Sequence, residues 1–200
     1  MHIGIAGIGK MGAAIGSRLL SQGYKVTVWN RTSVKAQSLL DAGAQWAPTP
    51  KALAESVDVV LTLLTNEAAL DQVYGAESGL LAGQVKGKTF IDMSTVRPAK
   101  PQEMAGLVQA VHAYFLECPV GGSVGPAKEG KLLGFVGGQA QDLARVHALL
   151  SVICRRVEHV GPHGAGATMK LAVNLPLMVY WQTLGEALSL VEPLGLDPQR

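Results

Sequence analysis

Short apolar runs alternate with longer segments whose apolar residues recur at helical spacing along most of the chain. The short runs predict strands, and the longer segments predict helices because side chains three and four positions apart share one helix face. Strands are expected at residues 3–6, 25–29, 57–64, 89–93, 114–117, 132–136 and 156–160. Helices are expected between them, at residues 11–22, 34–42, 50–55, 67–74, 101–112 and 141–152.

This alternation predicts an α/β fold. Strand–helix–strand repeats form right-handed crossovers, which build a mostly parallel, doubly wound sheet. The run at residues 59–64, which is apolar except for Thr62, is typical of a strand with helices on both faces of the sheet. Gly23 and Gly43 stand where helices are expected to end, and Pro50 and Pro101 stand in expected first turns.

The pattern changes after residue 162. Residues 165–194 predict one long helix. Within it, Pro176 is expected to produce a kink or remove one backbone hydrogen bond. We therefore divide the chain into an α/β domain at residues 1–162 and a long helix at residues 163–200. A single helix has too few neighbours to form its own core. Its apolar side chains are expected to meet a further domain or a second copy in a homodimer or higher homo-oligomer. These side chains include Leu171, Leu175, Met178, Trp181 and Leu188.

Composition and charge narrow the classes of function. Of the 200 residues, 48% are apolar and 16% are charged, which excludes a disordered chain. The formal net charge is only +2 and no basic block occurs, so a nucleic-acid partner is not expected. Polar residues interrupt the apolar stretch at residues 171–191, so a membrane span is not expected either. Cys118 and Cys154 lack metal-site spacing and no signal peptide is evident; we expect reduced thiols, no metal site and a cytoplasmic location.

A glycine-rich turn follows the first predicted strand. The GxGxxG string is a weak signal alone in a chain with 24 glycines, but its place between a strand and a helix is typical of a dinucleotide-binding loop. In such a loop the glycines permit a tight turn and close approach to a pyrophosphate, and the helix N-terminus offers free N–H groups to the anion. The motif consists of Gly7, Ile8, Gly9, Lys10, Met11 and Gly12.

The end of the second predicted strand indicates the type of dinucleotide. An NAD site places Asp or Glu there to accept a hydrogen bond from the ribose 2′-hydroxyl. This chain has Asn30, Arg31 and Thr32 instead, with Lys35 close by. A guanidinium and hydroxyl groups are donors suited to a 2′-phosphate. NADP is therefore expected in preference to NAD, although an arginine in a turn can also be simply solvated.

Polar and small residues cluster in three later segments. Residues 92–98 end a predicted buried strand, where open α/β sheets bind ligands. Residues 118–127 combine glycines with Ser123, which could hold a substrate carboxylate. Residues 161–166 precede Lys170 and Asn174, which are four positions apart and so share a helix face. Each segment could also be an ordinary turn, loop or solvated helix face.

At these motifs the chain resembles the β-hydroxyacid dehydrogenase family, which includes 3-hydroxyisobutyrate dehydrogenase, tartronate semialdehyde reductase and glyoxylate/succinic semialdehyde reductases. The resemblance covers the whole chain and follows the family's order at residues 7–12, 92–95, 119–123 and 164–174. It implies a Rossmann-type sheet and a long interdomain helix. It also implies Lys170 as the catalytic lysine and Ser94, Gly122, Ser123 and Asn174 on the substrate. It places Leu64, Thr65 and Thr95 along the nicotinamide half of the cofactor, and Asn30, Arg31 and Thr32 resemble the branch that prefers NADP.

The chain also departs from the family. Many members have Ser at the position of Gly121 and Gly at the position of Ser123, which leaves the substrate open, and Thr65 replaces a frequent Pro. The family continues into an all-helical C-terminal domain, which we expect to be absent or truncated in a chain that ends at Arg200. A second family lysine, which reaches the cofactor from that region, has no counterpart.

These observations predict an NADP-dependent oxidoreductase that transfers a hydride between the cofactor and a short β-hydroxyacid/semialdehyde pair bearing a carboxylate. Lys170 would exchange the proton. Two alternatives stay open: an NADP-binding module without turnover, and an imine reductase-like enzyme, which the presence of Lys170 makes a weaker match.

Overall fold

The computed structural model describes residues 1–195, in which a mostly parallel sheet with helices on both faces precedes one long helix. The predicted fold class is confirmed. The strands are β1 (His2–Ala6), β2 (Lys25–Trp29), β3 (Gln45–Trp46), β4 (Val59–Thr62), β5 (Thr89–Asp92), β6 (Tyr114–Glu117), β7 (Val120–Gly121), β8 (Leu132–Gly138) and β9 (Cys154–Gly161). The helices are α1 (Lys10–Ser21), α2 (Gln37–Asp41), α3 (Pro50–Ser56), α4 (Glu67–Gly75), α5 (Ala99–Ala110), α6 (Val124–Glu129), α7 (Ala140–Ile153) and α8 (Ala165–Val191).

The sheet has the order β3-β2-β1-β4-β5-β6-β8-β7, and β9 pairs with β8. The pairs from β3 through β6 are parallel, whereas β8 runs antiparallel to β6 and β7. The order reverses between β1 and β4, so the helices cross to opposite faces there. Ligands of such sheets bind at the carboxyl ends of these strands.

Two apolar clusters hold the layers together, one on each face of the sheet. Ile15, Leu39 and Leu150 belong to the first cluster, through which α1, α2 and α7 pack on the strands. Leu53, Leu70 and Met104 belong to the second, through which α3, α4 and α5 pack on the other face. Burial on both faces explains why the central strands have continuous apolar sequences.

Some predicted bounds were wrong. The predicted strand 57–64 forms only at Val59–Thr62, and the predicted helix 34–42 is divided into a 3₁₀ turn at Ser33–Ala36 and α2. The strands β3 and β7 were missed because two residues cannot display alternation. Helix α6 was missed because Gly125 and Pro126 within it are typical of a loop.

The long predicted helix forms as α8, which contains Pro176, and a 3₁₀ turn at Glu192–Leu194 follows it. Only Gly166 and Ala167 of α8 are buried. The exposed fractions are 64% for Leu175 and 58% for Trp181, so residues 1–161 leave the apolar side chains of α8 uncovered, as predicted. Residues 196–200 of the predicted helical segment lie outside the described residues.

Candidate functional site

A cleft of about 290 Å³ opens where the order of strands reverses. Three loops at the carboxyl ends of neighbouring strands line it, together with part of α4. Residues 7–9 come from the loop after β1, residues 29–32 and Lys35 from the turn after β2, and residues 63–65 from the loop after β4. The cleft therefore contains the predicted cofactor residues Gly7, Ile8, Gly9, Asn30, Arg31, Thr32, Leu64 and Thr65.

The loop after β1 fits a phosphate. Gly7 has a φ of +104°, and a Cβ there would collide with the carbonyl oxygen of Leu63, so only glycine is accommodated. Gly9 is the N-cap of α1, has open space beside it, and has no side chain that could cap the helix. The first N–H groups of α1 and its positive dipole end are thus available to an anion, as a bound pyrophosphate requires.

The other members of the glycine motif do not line the cleft. Lys10 is the exposed first residue of α1. Met11 packs against the first apolar cluster, and a Cβ at Gly12 would collide with the carbonyl oxygen of Gly7. Gly12 therefore lets α1 pack closely on the loop, as the third glycine of a dinucleotide-binding motif does.

Asn30 connects the turn after β2 to the glycine loop. Its side-chain oxygen accepts a hydrogen bond from the Ile8 N–H at 2.9 Å, and its amide donates to the Thr32 carbonyl at 2.8 Å. The Gly7 N–H donates to the Trp29 carbonyl at 3.0 Å. Arg31, Thr32 and Lys35 are exposed at the rim of the cleft. Two cationic side chains and one hydroxyl therefore stand at the position where an NAD site has a carboxylate.

Ser94 joins the loops after β4 and β5. Its hydroxyl donates to Asp92 Oδ1 at 2.7 Å and accepts from the Leu64 N–H at 2.9 Å. The same Asp92 oxygen accepts from the Thr62 hydroxyl at 2.7 Å. Burial raises the pKa of Asp92. The predicted substrate residue Ser94 is thus buried in a hydrogen-bonded network, whereas Thr95 and Thr65 beside it are exposed.

Glu117, which sequence reasoning missed, holds the start of α8. Its Oε1 accepts from the N–H groups of Gly164 at 2.5 Å and Gly166 at 3.0 Å, and its Oε2 accepts from Ala167 at 3.1 Å. The carboxylate is buried at the end of β6 and occupies the position where a helix favours negative charge. Burial nevertheless raises the pKa of Glu117. The sequence does contain one signal for this role, which is an acidic residue at the end of a predicted strand, residues 114–117.

Lys170 and Asn174 share one face of α8, as their spacing of four positions predicted. Lys170 and Asn174 are half-buried, while their neighbours at residues 171–173 are exposed. Lys170 lies one turn after the buried Gly166, on the same side of the helix. Burial lowers the pKa of Lys170, because the charged ammonium loses part of its hydration.

The serine and glycines after β6 lie beside β8. Ser123 is exposed and precedes α6 as its N-cap, with no hydrogen bond from its hydroxyl to the helix. Gly122 is exposed next to it. A Cβ at Gly121 would meet the Phe135 ring, and a Cβ at Gly166 would meet the Phe135 carbonyl oxygen. The Gly121–Ser123 segment and the start of α8 therefore pack on the same strand.

The loop after β5 also reaches the start of α8. Asp92 and Glu117 are direct neighbours in the parallel β5–β6 pair. A Cβ at Gly164 would lie 2.9 Å from the Pro98 carbonyl oxygen, and the Gln102 amide donates to the His163 carbonyl at 3.3 Å. The predicted segments 92–98 and 161–166 thus meet at the carboxyl edge of the sheet. Among residues 1–195 no group of His, Cys, Asp and Glu could hold a metal ion.

Comparison with known proteins gives one matching family. The family described as the NAD binding domain of 6-phosphogluconate dehydrogenase matches residues 2–161. The mitochondrial 3-hydroxyisobutyrate dehydrogenase of Bos taurus is 32% identical over 197 residues, which cover 98% of this chain and 59% of the relative. The chain thus spans about three fifths of the length of that relative.

Two solved structures are similar over nearly all of the chain. Psf3 in complex with NADP+ and 2-OPP superposes with a TM-score of 0.91 at 32% identity, covering 98% of this chain and 69% of that chain. The Mycobacterium tuberculosis 3-hydroxyisobutyrate dehydrogenase with L-serine superposes with a TM-score of 0.85 at 30% identity, covering 100% of this chain and 68% of that chain. In the part of the chain that the structure describes, no helix is both long and apolar enough to cross a lipid bilayer.

Proposed function

The chain belongs to the family of the NAD binding domain of 6-phosphogluconate dehydrogenase, and from this premise we propose that it is an NADP-dependent oxidoreductase of a short β-hydroxyacid/semialdehyde pair. The observation that carries the proposal is the half-buried Lys170 on a helix that starts at the same sheet edge as the cofactor cleft. The relatives named for 3-hydroxyisobutyrate support this substrate class.

The cofactor would lie along the cleft. The N–H groups at the start of α1 would bind its pyrophosphate, and Arg31, Thr32 and Lys35 would face the 2′-phosphate of NADP. Leu64, Thr65 and Thr95 would lie along the nicotinamide half. The Psf3 complex with NADP+ supports this choice, and the absence of an acidic residue at positions 30–32 argues against a preference for NAD. When bound, the nicotinamide supplies or accepts the hydride.

Lys170 would exchange the proton with the substrate oxygen. In the direction of reduction its ammonium polarises the carbonyl and donates a proton to it, and in the direction of oxidation the neutral amine accepts the proton of the alcohol. The lowered pKa of Lys170 suits this role, because a group that both gives and takes a proton works best near the ambient pH.

The remaining predicted substrate residues would hold and orient the substrate. Asn174 shares the half-buried face of α8 with Lys170 and would orient either the substrate or the lysine. The exposed hydroxyl of Ser123 and the backbone of Gly122 would hold the substrate carboxylate. The Ser94 hydroxyl donates to Asp92 and accepts from the Leu64 N–H, so its second lone pair could accept a hydrogen bond from the substrate. Alternatively, Ser94 would position Leu64 at the nicotinamide.

The uncovered apolar side chains of α8 support a homodimer or higher homo-oligomer formed through this helix. Both cysteines are free and buried, which supports a reducing, cytoplasmic location. Neither the proposed oligomeric state nor the proposed location depends on the identity of the substrate.

A panel of short semialdehydes tests the proposed function directly. NADPH oxidation is followed at 340 nm with each aldehyde and, in parallel, with a short cyclic imine, and NADPH binding is measured separately by calorimetry. Saturable turnover of a carboxylate-bearing semialdehyde is expected. Binding without turnover of any compound would favour the alternative of an NADP-binding module, and turnover only of imines would favour the imine reductase alternative.

A further inference from the structure

A buried carboxylate holds the one part of α8 that is packed on the α/β domain. In residues 1–195, Gly166 and Ala167 are the only buried residues of this helix, and both donate their N–H groups to Glu117. Gly164, immediately before the helix, donates a third. The N-cap of α8, Gly164, is a glycine and has no side chain of its own that could cap the helix.

The carboxylate of Glu117 packs closely against two glycines, Gly137 and Gly166. A Cβ at Gly137 of β8 would collide with Glu117 Oε1. A Cβ at Gly166 would lie 3.1 Å from the carboxyl carbon. The charged or titratable groups around it are His163 in the turn before α8, Cys118 next in the chain and Asp92, its partner in the β5–β6 pair. Asp142 and Arg145 lie beyond His163 on α7. The His163 ring is itself hydrogen bonded to the Phe115 carbonyl at 3.0 Å.

Lys170 lies one helical turn beyond the hydrogen bonds that Glu117 makes with the start of α8. Gly166 and Lys170 are four positions apart and share one face of α8, so a rotation of the first turn would move the ammonium with it. Beyond Ala167 the described chain gives α8 little other support, since most later side chains are exposed. A small change at the first turn would therefore be transmitted to Lys170 without correction by later packing.

We propose that Glu117 is a positioning residue. By fixing the first turn of α8 on strands β6 and β8, it keeps the Lys170 side chain in the half-buried position that its proposed role requires. This inference rests on the proposed function for its catalytic consequence. Glu117 does not touch the reacting atoms. The raised pKa of the Glu117 carboxyl reflects the cost of keeping this group buried. Three hydrogen bonds to a helix N-terminus offset that cost.

Two variants weaken the hydrogen bonds between Glu117 and the start of α8 in different ways. Glu117→Gln keeps the size of the side chain, but its amide nitrogen is a donor and cannot accept from a backbone N–H. Gly137→Ala keeps the carboxylate and pushes it from its position. Asp142→Asn is the matched control, because Asp142 is another buried acid, it lies in the first turn of α7, and its Oδ1 has no hydrogen-bond partner.

Steady-state kinetics on the full chain supplies the first readout. Both test variants are expected to lower kcat at least fivefold while the Kd for NADPH changes less than twofold, and Asp142→Asn is expected to leave both unchanged. A variant that unfolds at lower temperature but keeps the parental kcat and pH profile would show a merely structural role and overturn the proposal. Absence of turnover in the parent protein would instead contradict the proposed function.

The second readout does not need turnover. The lysines are reductively methylated with ¹³C, the Lys170 signal is assigned with Lys170→Arg, and its pKa is read by NMR titration. Greater exposure predicts a higher Lys170 pKa in both test variants, because less of the charged form is desolvated. Loss of charge alone predicts a lower value in Glu117→Gln and no change in Gly137→Ala. That second pattern, or an unmoved pKa in both, would overturn the proposal.

Discussion

The side-chain oxygen of Asn30 accepts a hydrogen bond from the backbone N–H of Ile8 at 2.9 Å, across 22 positions of sequence. Ile8 lies in the loop that fits the pyrophosphate, and Asn30 begins the turn that carries Arg31. The bond therefore fixes the distance between the two places where phosphates of NADP would bind. It also separates the roles proposed for two neighbouring residues, because Asn30 connects the two loops and Arg31 would face the ligand.

Asn30→Ala is expected to weaken NADPH and NADH alike. The substitution removes the acceptor of the Ile8 N–H and the donor to Thr32, so the loop loses its orientation whichever nucleotide is bound. A lost hydrogen bond of about 1 kcal/mol corresponds to roughly a fivefold increase in both Kd values. Calorimetric titration with each nucleotide measures the effect. A change confined to NADPH would show that Asn30 contacts the 2′-phosphate rather than the loop.

Arg31→Ala is expected to weaken NADPH selectively. The parent protein should bind NADPH at least about tenfold tighter than NADH, because a guanidinium can form a charge-assisted, bidentate contact with the 2′-phosphate. The variant should lose most of that preference while its Kd for NADH stays constant. Lys86→Ala, which removes an exposed cation outside the residues that line the cleft, is the control. Equal affinities for the two nucleotides in the parent would contradict the assignment.

His112→Gly is expected to stabilise the fold. His112 follows α5 with a φ of +57°, a left-handed conformation that is unfavourable for any residue with a Cβ. Relief of this strain, less the greater freedom of glycine in the unfolded chain, predicts a gain of about 0.5–1 kcal/mol in the free energy of unfolding.

Urea denaturation measures that gain, and Gly43→Ala provides the opposite substitution. Gly43 has a φ of +100° and open space around it, so alanine there introduces the backbone strain without a steric clash. It should lower the free energy of unfolding by a similar amount. A destabilised His112→Gly would mean that the imidazole makes a contact more valuable than the strain it imposes.

The sequence predicted the central strands and the loops between them, because strands buried on both faces have continuous apolar runs. The bounds of β2 and β6 were predicted correctly, and the glycine loop lies at the cleft as expected. The edges of the sheet were less predictable. Gln45–Trp46 is too short for a pattern, and a helix at Val124–Glu129 is hidden by the glycine and proline within it.

Long-range polar contacts were not predictable at all. Glu117 and Gly164 are separated by 47 positions, and only the return of α8 to the end of β6 brings them together. Ser94 was assigned to the substrate by the family resemblance alone, and its bonds to Asp92 and Leu64 depend on the pairing of β4 with β5. Local sequence indicates which side chains are polar, but the topology decides which of them meet.

Lys170→Ala is expected to lower turnover by about 10² or more, the usual contribution of a positioned acid or base. The loss should appear in both kcat and kcat/KM, because the proton is transferred only in the transition state. The Kd for NADPH should stay within about twofold, since Lys170 is outside the cleft that the nucleotide would occupy. Lys86→Ala should behave like the parent.

Lys170→Arg and the pH profile distinguish a proton donor from a simple positive charge. Arginine stays protonated and cannot exchange the proton, so the variant should not recover activity. In the parent, kcat/KM for reduction requires the ammonium and should fall as pH rises through the pKa of Lys170, whereas oxidation requires the amine and should rise. Because burial lowers that pKa, both changes should occur below pH 10.5, the ordinary value for lysine. Rescue by arginine would indicate electrostatic stabilisation alone, and near-normal turnover of Lys170→Ala would contradict the mechanism while leaving the cofactor assignment intact.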